Sequence, residues 1–129
     1  MGDHLKARNS YTAALNTFRK INVPVDIAWS LNNLGTANTN LNRNDEAIRF
    51  YKASLAIYRN LKLEIKIADV LTNMGITFTD LNLLPKAKQC LDSAAVTYRK
   101  LNREDKLADV EASLGNLFSN AGQHRMALG

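Results

Sequence analysis

Three glycines, Gly35, Gly75 and Gly115, stand 40 residues apart, and each follows a large apolar residue, Leu34, Met74 or Leu114. The same interval links Ala28, Ala68 and Ala108, and a second alanine series at Ala7, Ala47, Ala87 and Ala127. It also links the pairs Phe18-Arg19, Tyr58-Arg59 and Tyr98-Arg99. Several independent series that share one period constrain the chain more than its composition does. A repeating unit of this size is one supersecondary element, which buries its apolar face against its neighbours in a stack.

Within each period the apolar spacing is helical. One stripe reads Ala7, Tyr11, Ala14, Phe18, Ile21, with copies at Ala47, Tyr51, Ser54, Tyr58, Leu61 and at Ala87, Leu91, Ala94, Tyr98, Leu101. Steps of four and three residues mark one face of an α-helix. The other half of the period gives a second stripe: Ala28, Leu31, Leu34, Gly35, Leu41, then Ala68, Leu71, Met74, Gly75, Phe78, Leu81, then Ala108, Leu114, Gly115, Phe118, Ala121. Asn22, Asn42, Lys62, Asn82, Asn102 and Gly122 fall at the breaks. Gly and Asn tolerate the left-handed conformation that ends a helix. Pro24 and Pro85 sit where a first helical turn accepts them. The pattern predicts helices near 4–21, 24–41, 44–61, 64–81, 84–101 and 104–121, with a further stub from His124.

These residues resemble the tetratricopeptide repeat family, whose pattern joins a Leu-Gly pair and a following aromatic in a first helix to an Ala–aromatic–Ala series in a second. Leu34-Gly35, Ala47 and Tyr51 match, as do Gly75, Phe78, Ala87 and Ala94, then Leu114-Gly115, Phe118 and Ala127. The early tryptophan of the pattern is replaced by Leu31, Leu71 and Glu111, the closing proline by Arg59 and Arg99, an aromatic by Asn38, and an alanine by Ser54. The period exceeds the common ~34 residues. It is similar to the long-helix variant of kinesin light chains, of spindle adaptors with GoLoco motifs, and of bacterial sensor-kinase and Rap-type regulators. The resemblance implies an all-α fold, a right-handed superhelix of antiparallel helix pairs. One array would then cover 1–129: a second helix at 4–21, repeats at 24–61 and 64–101, and a partial repeat at 104–129.

The resemblance also implies where a ligand sits, on a concave face built from the first helices. By register that face carries Trp29, Asn32, Asn33, Thr36, Thr39 and Asn40, then Asp69, Thr72, Asn73, Ile76, Thr79 and Asp80, then Asp109, Ser113, Asn116 and Ser119. Asn offers two donors and an acceptor, so a ladder such as Asn33 and Asn73 can satisfy the backbone of an extended peptide. The competing reading of both is solvated surface or inter-helix hydrogen bonding, and for the threonines that reading is preferred. Trp29 is either a partner anchor or a cap on the preceding helix, the second being commoner for a lone aromatic at helical spacing. With Trp29, Asp69, Asp80 and Asp109 in the groove, a lysine-and-arginine clamp for a terminal carboxylate is not expected. A neutral or basic segment suits the charge better.

Charge, cysteine count and motifs narrow the class further. The net charge of +5 is too small to name a partner. Arg19, Arg59 and Arg99, with Lys20, Lys62, Lys66, Lys100, Arg103 and Lys106, either make a basic edge or complement helix dipoles beside Asp26, Glu64, Glu104 and Asp105. The second reading is preferred, and no nucleic-acid partner is expected. Cys90 is the single cysteine, so no intramolecular disulfide or Cys-based zinc site is possible. It reads as a packing residue. His4 and His124 lack helical metal-ligand neighbours, and no phosphate loop or nucleophile motif occurs. The expectation is a protein or extended-peptide partner, no enzyme activity, no cofactor, no metal, no membrane span and a cytoplasmic setting. A regulatory or sensory segment of a larger signalling protein is the alternative.

The register starts on a second helix and stops inside another, which suggests a piece of a longer protein. Tyr11, Leu15 and Phe18 at one end, and Leu117 and Phe118 at the other, are expected to lack full cover. That arrangement points to self-association through the terminal helices.

Overall fold

The computed structural model describes the backbone of residues 2–128 and the side chains of 2–123, so the side chains of His124 and Ala127 lie outside the described residues. Six helices follow one another: α1 (Gly2–Ile21), α2 (Pro24–Asn40), α3 (Asn44–Asn60), α4 (Glu64–Asp80), α5 (Leu84–Lys100) and α6 (Glu104–Leu128). The fold is all-α, as the two apolar stripes per period require. The chain divides into two compact units, Met1–Lys66 and Ile67–Gly129.

The five links between helices share one construction. Asn22, Asn42, Lys62, Asn82 and Asn102 all have φ between 55° and 61°. Around Asn42, the Arg43 N–H donates to the Asn38 carbonyl at 2.8 Å and the Asn42 N–H to Thr39 at 3.0 Å. The pair is the Schellman arrangement, which satisfies carbonyls that a helix end leaves open. Val23, Leu63, Leu83 and Arg103 repeat the longer bond to Phe18, Tyr58, Phe78 and Tyr98. The carbonyls of Val23, Arg43, Leu83 and Arg103 then accept the N–H four residues on, so the closing residue of one helix opens the next. Two or three residues thus reverse the chain.

In the first unit α2 packs against both α1 and α3. Leu15, Leu31 and Leu34 form a buried cluster, with Tyr11, Ile27, Phe50 and Ile57 against it. Full burial of each such aliphatic side chain contributes about 1.5–3 kcal/mol. The α2–α3 pair is set by Gly35: a Cβ there would lie 2.5 Å from Cδ1 of the buried Tyr51 ring. One period turn away, the buried Ser54 hydroxyl donates to the Ala28 carbonyl at 2.7 Å, which explains a serine where the pattern prefers alanine. In the second unit Gly75 plays the same part for α4 and α5, since a Cβ would meet Leu91 Cγ at 2.6 Å. Val110 and Leu117 bury the side of α6 that packs on α5.

Three expectations fail at the terminal helices. The predicted break at Gly122 is absent, because α6 runs unbroken to Leu128 and no glycine among the described residues has positive φ. Continuing an existing helix avoids the cost of nucleating a new one from a handful of residues, and that outweighs the ~1 kcal/mol penalty of an interior glycine. The third copy of the first-helix stripe is not core: Ala108, Gly115 and Phe118 are exposed and Leu114 is half-buried. Leu117, expected to lack cover, is 2% exposed, and Leu15 of α1 is likewise buried, because each points at the neighbouring helix of its own unit.

Two stability predictions follow from these contacts. Gly35→Ala and Gly75→Ala are expected to destabilise by about 1–3 kcal/mol in urea titrations, since Tyr51 and Leu91 have no room to yield, whereas Gly115→Ala, with nothing within 4 Å of its Cβ, gains up to ~1 kcal/mol of helix propensity. Lys62 is the one link residue at positive φ that is not asparagine. Lys62→Gly should raise stability by about 0.5–1 kcal/mol, read as a higher thermal midpoint, by removing the left-handed Cβ strain.

Candidate binding face

In the second unit α4 and α6 line two shallow recesses. The first, of about 260 Å³, is formed by Asp69, Thr72 and Asn73 from α4, Tyr98 from α5, and Lys106 and Asp109 from α6. The second, also about 260 Å³, is formed by Ile76, Thr79 and Asp80 from α4 with Ser113, Asn116 and Asn120 from α6. These positions share helix faces for a simple reason. Residues 69, 72, 73, 76, 79 and 80 recur at steps of three and four on the opposite side of α4 from Leu71, Met74 and Phe78.

Asp69 organises the first recess. The Tyr98 hydroxyl donates to its carboxylate at 2.5 Å, and Lys106 Nζ approaches the same oxygen at 2.8 Å. Lys106 also lies 5.9 Å from the centroid of the Tyr98 ring. Burial, and then the hydrogen bond given to Asp69, push the Tyr98 hydroxyl well above the ordinary tyrosine range. Asp69 is therefore answered within the protein. Among the groove acids named from sequence, Asp80 and Asp109 are the exposed ones.

The remaining sequence-assigned residues are placed as follows. Asn73 is half-buried in the first recess, beside Asp109. Ile76 is 40% exposed and shares the second with Asp80 and Asn116. In the first unit, Trp29 is 45% exposed yet stacks edge-on against Tyr11 of α1, with centroids 5.6 Å apart. It both caps α1 and presents a free edge. Asn32 and Asn33 are half-buried on α2, and Thr36 and Asn40 are exposed. The Thr36 hydroxyl lies 3.1 Å from the Tyr51 hydroxyl and 3.4 Å from the Asn32 carbonyl. The Thr39, Thr72 and Thr79 hydroxyls donate to Gly35, Ala68 and Gly75 in their own helices.

Sequence reasoning missed three lining residues. Asn120 was legible, because it repeats Asn40 and Asp80 at the same register. Tyr98 has core spacing in the sequence, and it is also buried. Lys106 was grouped with a basic edge, and the structure corrects this: it points at Asp69. Arg103 is drawn off similarly, at 3.3 Å from Asp105, whose carboxyl that hydrogen bond holds below its usual value. Arg19, Arg59 and Arg99 are exposed at helix ends, and Cys90 is half-buried. Among the described residues no three His, Cys, Asp or Glu side chains cluster to hold a metal. No helix of the described residues is long and apolar enough to cross a membrane.

Residues 1–60 match the model of the tetratricopeptide repeat family. Among solved structures, the chain is similar to the crystal structure of BtubC (BKLC) from P. vanneervenii, with a TM-score of 0.83 and 22% identity. That match covers 94% of this chain and 51% of BtubC, so the chain spans about half the length of that neighbour. At this identity the likeness speaks for the fold. No curated protein matches the sequence significantly.

The Asp69–Tyr98 bond gives a pH prediction. A folded-state pKa raised above the unfolded value, near 10, adds stability that is complete below pH ~10 and is lost as pH climbs toward the folded value. Urea midpoints should therefore fall above pH 10. In Tyr98→Phe the midpoint should be lower at pH 8, by about 1 kcal/mol for the missing hydrogen bond, and the alkaline decline shallower.

Proposed function

Because residues 1–60 are a tetratricopeptide repeat segment, and such repeats are in general protein-interaction scaffolds, we propose that this chain is a non-catalytic scaffold that holds an extended peptide along the exposed face of its first helices. The row of side chains between α4 and α6 carries the reading: Asn73 and Asp109 in one recess, Asp80, Asn116 and Asn120 in the next.

The chemistry of that row suits a peptide backbone. Each asparagine can both donate to a carbonyl and accept from an N–H. Asn73 and Asp80 are two turns apart, about 10 Å along α4, the length of about three extended residues. Ile76 between them offers an apolar surface to one peptide side chain. With Asp69 answered by Lys106 and Tyr98, the outward charge of the face comes from Asp80 and Asp109, so basic or neutral segments are favoured over acidic ones. In the first unit the corresponding face supplies Asn33, Asn40 and the exposed edge of Trp29, an aromatic suited to anchoring a partner.

An array of unrelated peptides, probed with the chain and followed by fluorescence anisotropy, tests the reading. Selected peptides should be enriched in Lys or Arg. Asn73→Ala combined with Asn116→Ala should weaken them about tenfold, equivalent to ~1.4 kcal/mol. Asp80→Asn should reduce the preference for basic peptides while leaving neutral ones nearly unchanged. Equal affinity of all three proteins for every selected peptide would place binding elsewhere.

A further inference from the structure

The two recesses between α4 and α6 match in size and differ in charge. The first already contains a cation, because Lys106 Nζ lies 2.8 Å from Asp69. The second has Asp80 and, among its described lining residues, no lysine, arginine or histidine. Asp80 is exposed and is the last residue of α4. The carbonyl end of a helix carries partial negative charge, so a carboxylate there is disfavoured by its own helix. No basic residue stands in that last turn to offset it. The same register holds neutral amides in the other first helices, Asn40 in α2 and Asn120 in α6.

The walls of the second recess are rich in acceptors. The Thr79 hydroxyl donates to the Gly75 carbonyl at 2.8 Å, and the Ser113 hydroxyl to the Asp109 carbonyl at 3.1 Å. Each hydrogen is thus committed to its own helix, which leaves the oxygen as an acceptor. Asn116 and Asn120 each add an amide oxygen. Ile76 precedes Asp80 by one turn, about 6 Å along α4, and is 40% exposed. It forms an apolar approach to the acid.

We propose that the second recess is an arginine subsite. The side chain of one arginine in a bound peptide lays its methylenes on Ile76 and brings its guanidinium between Asp80 and the amides of Asn116 and Asn120. The subsite rests on peptide binding along this face, as proposed above, and adds which side chain is taken and where. A guanidinium is planar and has five donors. One edge pairs with both oxygens of a carboxylate, and the remaining N–H groups meet amide oxygens across the recess. A lysine ammonium brings the same charge without the fork, and it is more strongly hydrated. Its stem packs on Ile76 in the same way, so the head group decides between the two. Either cation also meets the negative end of the α4 dipole.

At the first recess Lys106 repels a second basic residue. The peptide therefore carries its arginine at one end of the row and a neutral residue about three positions away, toward Asn73. The subsite is built inside the second unit by α4 and α6, and it leaves out the exposed Ala108–Gly115–Phe118 face of α6.

The test is a set of NMR titrations that follow the isoleucine methyls and the side-chain amides. The probes are capped alanine pentapeptides whose central residue is arginine, lysine, citrulline or alanine. The arginine peptide should shift Ile76, Asn116 and Asn120 and bind about tenfold more tightly than the lysine peptide. Citrulline, which keeps the shape and loses the charge, should bind no better than alanine. Asp80→Asn, at an exposed position, should bring the arginine peptide down to the level of citrulline. Equal affinity for the arginine and lysine peptides overturns the subsite, and so does an arginine preference that survives Asp80→Asn. If all four peptides then shift Asn73 alike, peptide binding on this face stands without the subsite, whereas no shift on the face with any peptide overturns both.

Discussion

The pairs α2–α3 and α4–α5 are each fixed where a glycine on one helix admits a large side chain from the other. Gly35 takes Tyr51 and Gly75 takes Leu91, both at distances no Cβ would permit. The approach of the helix axes, and with it the burial of Ala28, Ala47, Ala68 and Ala87 to no measurable exposure, follows from that notch. Alanine is the residue that two backbones this close allow, since a larger group would hold the helices apart and leave voids on both sides. The alanine series and the glycine series are therefore one constraint written twice, which is why they keep the same period.

A notch of this kind also decides what remains outside. Once 71, 74, 75 and 78 face α5, helical geometry turns 69, 73, 76 and 80 the other way. The candidate face is thus the reverse side of the packing. Its polar character has local causes: asparagine and aspartate there cost a helix little when solvated and keep the first helices from being apolar all round. Asp69 shows how such a residue can be withdrawn from the surface. Tyr98 reaches it from the core side and Lys106 from the next helix, so one carboxylate ties three helices together and leaves Asp80 and Asp109 to set the sign of the groove. The raised hydroxyl of Tyr98 is a consequence of the same geometry.

The all-α class, the helix boundaries to within a residue or two for α2 to α5, and all five left-handed links were legible in the sequence, because they depend on local periodicity and on residue types with strong backbone preferences. The links were legible even at Lys62, where position in the period outweighed residue type. Gly122 shows the limit of that logic. It has the right residue at the right register, yet glycine permits a left-handed turn without imposing one, and its surroundings favour continuing the helix. The third stripe failed for a related reason: Ala108, Leu114 and Phe118 have core spacing, but spacing specifies a face and not what covers it. In the site, Asn120 was available from the register. Lys106 was not, because a flexible four-carbon side chain takes its direction from whichever acid its neighbours supply.

Helices α1 and α6 therefore differ from the helices between them in cover and not in pattern. Phe78 and Phe118 are the same residue at the same register, one buried and the other open, and Leu71 and Glu111 differ in the direction that this difference requires. A leucine at 111 beside Phe118 would enlarge an exposed apolar patch, which a solvated surface tolerates poorly. Glutamate at that place, exposed on α6, keeps the face solvated.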